Sequence, residues 1–202
     1  MIKSGYAIGA LACAVVGLTG VGCSSSKAPE ASSSSSATSS SSAASSTHAA
    51  PANDFAGLLI KPTDIELPGD TFTAQEPTVN PGGKDGVATA FTNQTQTRTI
   101  GDTILVLADA TEAKGVLDSS LASVGQSVAD GTPQPLAVGS NGTLVSGTSP
   151  DGTKAVTVVM FTEGKGFALL EFDSAVGDPV PPEFATAVAQ KQDDALKAGL
   201  PG

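Results

Sequence analysis

Hydrophobic positions fall along the chain in three distinct regimes. Tyr6 to Val16 is an almost unbroken apolar run. Residues 24–52 carry almost no large apolar side chain and consist mostly of Ser and Ala. From Asp54 onward Val, Ile, Leu and Phe return in periodic patterns separated by turn residues.

The periodic part predicts a succession of elements. Asp54 caps a short helix through Phe55, Leu58, Leu59 and Ile60, with Pro62 near its end. Residues 66–86, rich in glycine, proline and polar side chains, read as a loop. Strands are expected at Val87 to Asn93 and Ile100 to Ala108, joined by a turn. Asp109 with Glu112 has the spacing of a capping box, and Ala113, Val116, Leu117, Leu121 and Val124 recur at helical spacing behind it. Gly125 marks the stop. Leu136 to Val138 and Thr143 to Thr148 follow as strands. Lys154 to Thr162 and Phe167 to Phe172 form a hairpin across Glu163-Gly164-Lys165-Gly166. Pro150-Asp151-Gly152 is a turn. A last helix begins near Pro181 or Pro182, where proline suits the first turn. It runs through Phe184, Val188, Gln192 and Leu196 to Gly199.

This order predicts an α+β fold: a mainly antiparallel sheet of about five strands packed against two longer helices in two layers, plus a short N-terminal helix. Residues 54–202 suit one domain with one core. The chain has 7 Phe, 1 Tyr and no Trp, and the Tyr precedes the domain, so the core should be aliphatic with phenylalanine.

The first two regimes bear on location. Lys3, the short apolar run and the small residues after it read as a signal peptide over residues 1–22; the run is too short to span a bilayer. Gly22-Cys23 at its end resembles the lipobox of bacterial lipoproteins. That resemblance implies a diacylglyceryl group on Cys23, cleavage before it and attachment to the membrane from the extracytoplasmic side. The alternative is a plain secretory signal with an incidental cysteine. Residues 23–53 are then the lipidated cysteine and a disordered tether, since Ser and Ala cannot bury enough apolar surface to offset ordering. Such a coil averages about 30 Å end to end and stretches to about 100 Å. Its Ser and Thr are also candidates for O-glycosylation. With Cys13 in the signal and Cys23 acylated, the domain has no disulfide.

Composition narrows the chemistry. The single histidine, His48, lies in the tether, so Ser-His-Asp and Cys-His arrangements, and the usual zinc and copper sites, are not expected in the domain. Carboxylates outnumber Lys and Arg by 20 to 10, and the net charge of −10 disfavours nucleic acid and anionic headgroups. Glu171 and Asp173 stand two apart on a strand and share a face, while Asp193 and Asp194 diverge on a helix; solvated faces account for both pairs. The calcium-loop spacing is absent. Gly139-Ser140-Asn141-Gly142 lacks the lysine of a phosphate loop. No catalytic residue, cofactor or metal is expected. Gln192 is the odd residue on an apolar helix face, to be explained by a backbone partner or by a ligand.

The pattern resembles small actinobacterial, especially mycobacterial, envelope lipoproteins. The likeness is carried by Leu58-Leu59-Ile60, Asp109-Ala110-Thr111-Glu112-Ala113, Ala155-Val156-Thr157-Val158-Val159, Phe167-Ala168-Leu169-Leu170-Glu171-Phe172 and Ala189-Gln190-Lys191-Gln192. It is also similar to the exported sensor-like domains of mycobacterial receptor kinases, which usually carry paired cysteines that this domain lacks, and to PsbP-like lipoproteins. The resemblance implies a non-enzymatic envelope module, with an envelope protein or a lipid as partner. Two functions follow as expectations: an interaction or sensor-like module docking through the 66–86 segment, or a carrier for an apolar small molecule in a cavity between sheet and helices.

Overall fold

The computed structural model describes residues 55–200. The signal, Cys23, the tether and His48 lie outside the described residues.

Among the described residues the chain builds one antiparallel sheet from eight strands: β1 (Phe72–Ala74), β2 (Thr78–Val79), β3 (Gly86–Asn93), β4 (Thr99–Val106), β5 (Gln134–Pro135), β6 (Ser140–Thr148), β7 (Lys154–Glu163) and β8 (Gly166–Ala175). Their order is β1-β3-β4-β8-β7-β6-β5, and β2 also pairs with β3. Two helices accompany it, α1 (Ala110–Ser123) and α2 (Pro182–Gly199). The α+β class and the mainly antiparallel sheet are as expected. The strand count of about five is too low: β1 and β2 lie inside the segment expected to be loop. There β1 pairs Phe72 with Asn93, and β2 pairs Thr78 with Ala88, so short polar stretches recruited by the β3 edge become strands despite weak local preference. A second correction concerns residues 136–138. The strand pairing with β6 is Gln134–Pro135 instead, while Leu136 donates its amide to the Gly142 carbonyl and Val138 is buried beyond the ladder.

Nor are there only two layers. Helix α1 packs on one face of the β7–β8 hairpin and α2 on the other. The alternation in β7 explains this: Val156, Val158 and Met160 join Leu105, Leu117, Val145 and Phe167 under α1, whereas Val159 and Phe161 join Ile100, Ile104, Phe172, Val188 and Leu196 under α2. A strand apolar on both sides requires cover on both sides. The α1 N-terminus is closed as its sequence predicts. Asp109 accepts the Thr111 and Glu112 amides at 2.8 and 2.9 Å, and Glu112 accepts the Ala108 amide at 3.1 Å.

The expected N-terminal helix is a strap, residues 55–65, with two 3-10 turns at Phe55–Leu58 and Pro62–Asp64. Pro62 starts the second turn and prevents a continuous α-helix. The strap lays Leu58, Ile60 and Ile65 on the α2-side core, each at most 5% exposed. Gly199, at the end of α2, leaves the room that Leu58 occupies: a Cβ there would collide with the leucine methyl.

Candidate functional site: a carboxyl and an amide beneath the strap

The α2-side core is mostly apolar, with the buried polar residues Asn93, Thr157 and Ser174 on the same strand face and a carboxyl and an amide at its middle. Ile100, Asp102 and Ile104 alternate on β4 and point to the same face, with Asp102 facing Thr89 on β3 and Leu170 on β8 in register. Asp102 is 0% exposed, and neither carboxylate oxygen has a hydrogen-bond partner. Burial pushes its pKa up to about 8; the nearby Ile60 amide opposes part of that rise. That amide donates its hydrogen bond elsewhere, to Gln192 Oε1 at 3.2 Å. Gln192, also 0% exposed, donates from Nε2 to the Leu58 carbonyl at 2.7 Å. Of the two explanations offered by sequence for Gln192, the backbone partner is the one the structure displays. The partner lies far off in sequence, in the strap.

Asp102 was missed by sequence reading, although a signal existed. A carboxylate between Ile100 and Ile104, at strand spacing, breaks an otherwise apolar face. Buried carboxyls are rarely left unpaired, since removal from water disfavours the charged form strongly.

Of the other candidate residues, Asp70, Asp151, Asp173 and Asp193 are engaged in structural bonds. Glu171 and Asp173 do share a face, that of α1. Asp173 pairs with Lys154, whose pKa is raised first by that hydrogen bond. Glu171 is half-buried, and its pKa is raised by burial first and by the Asp173 charge second. Asp193 and Asp194 diverge: Asp193 is buried and accepts the Gly139 amide at 3.2 Å and Lys197 Nζ at 2.6 Å, while Asp194 is exposed. Gly139 has φ +52°, and a Cβ there would strike the Phe161 ring, so this close approach needs glycine. Asp151 closes the 149–153 turn, accepting from Ser149 and Thr153, and those bonds hold its pKa near 2. The Asp70 carboxylate binds Arg98 Nη1 at 3.1 Å and the Asn93 amide at 2.9 Å, fixing the β3–β4 turn against the start of β1. The 66–86 segment is largely exposed, Val79 included.

Two grooves flank the strap. One, of about 770 Å³, lies at the end of the sheet among Phe55, Leu58, Val106, Leu107, Lys165 and Leu200. The other, of about 250 Å³, runs between Leu59, Ile60, Pro77, Thr89 and Phe91. Between the sheet and α2, Phe161, Phe172, Phe184, Val188 and Leu196 are close-packed, and the Phe172 and Phe184 rings meet edge to face at 5.9 Å. Among the described residues no helix is long and apolar enough to cross a membrane, and no three His, Cys, Asp or Glu side chains gather as metal ligands would.

No protein-family model, curated protein or solved structure matches this chain.

Proposed function

We propose that this chain is a lipid-anchored protein of the bacterial cell envelope, of the actinobacterial type. Its domain acts as a non-enzymatic interaction or sensor-like module held on the extracytoplasmic side of the membrane by Cys23 and a Ser/Ala-rich tether. The observation that carries the reading is Gly22-Cys23 after a short apolar run, followed at once by a serine tract and then by a folded domain. A diacylglyceryl cysteine holds a protein at a bilayer without a membrane helix, because two acyl chains anchor stably where one does not. Two features of the domain support the module reading. Asp70, Asp109, Asp151 and Asp173 are occupied in a turn, a cap and ion pairs, and the buried Gln192 holds the strap backbone. The exposed edge formed by β1, β2 and residues 75–85 is the proposed docking surface.

Fractionation of cells expressing Cys23→Ala tests the anchor. The variant should leave the membrane fraction for the soluble or shed fraction, and unchanged membrane association would refute it. Crosslinking in intact cells tests the module, and failure to recover any reproducible partner would count against it.

The second reading is a carrier for an apolar small molecule or lipid. The observation that bears on it is the open groove of about 770 Å³, where Phe55, Leu58, Val106, Leu107 and Leu200 stand beside Asp85 and Lys165. Native mass spectrometry of the protein from its own host separates the two. A lipid-sized adduct, released on unfolding, supports the carrier; a clean apo mass supports the module.

A further inference from the structure

The carboxyl at the centre of the α2-side core has no hydrogen-bond partner, and it lies beneath the 55–65 strap, a segment of that face held by neither a sheet ladder nor an α-helix. Strand β4 is paired along its length on both sides, with β3 and with β8. Freeing Asp102 from that side would break two ladders. The strap, by contrast, contributes no strand to the sheet. It is seated by Leu58, Ile60 and Ile65 and tied to α2 by the two Gln192 hydrogen bonds. Lifting it is the least costly way to bring water to Asp102.

We propose that Asp102, Gln192 and the 55–65 strap form a proton-controlled latch: the strap is closed over the protonated carboxyl and is released when that carboxyl ionises, while the sheet stays intact. The groups facing Asp102 make the device simple. Strand β3 presents Val87, Thr89 and Phe91; β8 presents Ala168, Leu170 and Phe172; α2 presents Gln192; the strap presents Leu58 and Ile60. No charge of either sign acts on the carboxyl among the described residues. The nearest charged groups of the strap look away: Lys61 is exposed, and Asp64 accepts the Lys61 amide at 2.8 Å. On α2, Asp193 turns to Gly139 and Lys197. Burial therefore dominates the balance, with the Ile60 amide of the strap opposing part of it.

The sign follows from linkage. The closed state binds the proton up to about pH 8, whereas a hydrated aspartate releases it near 3.8. Between those limits the open state carries fewer protons, so opening gains about tenfold per pH unit. The closed strap is most stable in acid and is weakened as pH rises towards 8. The inference is independent of how the chain is held at the membrane.

Amide hydrogen exchange on the full-length protein tests it, with protection factors corrected for the intrinsic pH dependence of exchange. Protection of the Ile60 amide should fall about a hundredfold between pH 5 and pH 7, while amides of β7 and β8 keep theirs. In Asp102→Asn, the Ile60 protection should not change with pH. The latch is overturned if wild-type Ile60 protection is constant across that range. It is equally overturned if the β7 and β8 amides lose protection in step, or if a folded Asp102→Asn protein shows the wild-type loss. The wild-type measurement decides the matter even if the variant does not fold.

Discussion

The two faces of the sheet solve the same packing problem differently. Under α1 the core is apolar throughout, built from Leu105, Leu117, Val145, Val158, Met160 and Phe167, and its acidic residues Glu171 and Asp173 stand at the half-buried margin, with Lys154 pairing Asp173. Under α2 the core is larger and richer in phenylalanine, but it encloses an unpaired carboxyl and an amide at its centre. The α1 face shows what burial alone accomplishes in this chain. The α2 face has given up part of that stability for a polar pair, and only the α2 face is covered by the strap through which the N-terminal part of the chain enters the domain. Polar groups retained in a core against their desolvation cost are the places to look for function.

Removing large side chains should damage both faces. Phe172→Ala in the α2-side core should cost about 3–5 kcal/mol and Leu117→Ala under α1 about 2–5 kcal/mol, read by urea denaturation. If the Phe172 variant were the milder of the two, the α2-side core would be looser than its burial indicates. Asp102→Asn should go the other way. At pH 7 it removes the need to bind a proton on folding, and should stabilise the domain by about 2–4 kcal/mol. Gln192→Leu preserves the apolar volume but leaves the Leu58 carbonyl and the Ile60 amide without partners, so a loss of about 1–3 kcal/mol is expected. A gain in stability there would mean that the strap finds other partners. Asp109→Ala, which strips the α1 cap, should cost about 0.5–2 kcal/mol.

The same contrast marks how much could be read from sequence. The α1 side was legible, because its signals are local: the Asp109–Glu112 cap, the 3.6-residue spacing and the β7–β8 hairpin with its Gly164 turn all lie within a few residues of one another. Even the second helical layer was written in β7, where Val156 and Val158 alternate with apolar Val159 and Phe161; the two-layer expectation did not use that information. The short strands β1 and β2 were not legible, because Thr78 and Thr73 become strand residues only when the β3 edge offers hydrogen-bond partners. The candidate site fell between these cases. Gln192 stood out on its helix and Asp102 could have stood out on its strand. What joins them is the strap backbone, separated from Gln192 by more than 130 positions, and no periodicity reports such a contact.

The most direct test of the claim that the α2-side polar pair governs this domain is the stability of the wild-type and Asp102→Asn proteins compared across pH 5 to 8. Glu171 and Asp151 also shift on folding, in opposite directions, but they are common to both proteins and cancel in the difference. The account predicts that the wild type loses stability relative to the variant by about 1.4 kcal/mol for each pH unit from pH 5 to 7, with the loss flattening towards pH 8. A difference that does not change with pH would mean that Asp102 is as fully ionised in the folded chain as in the unfolded one, and would contradict the account.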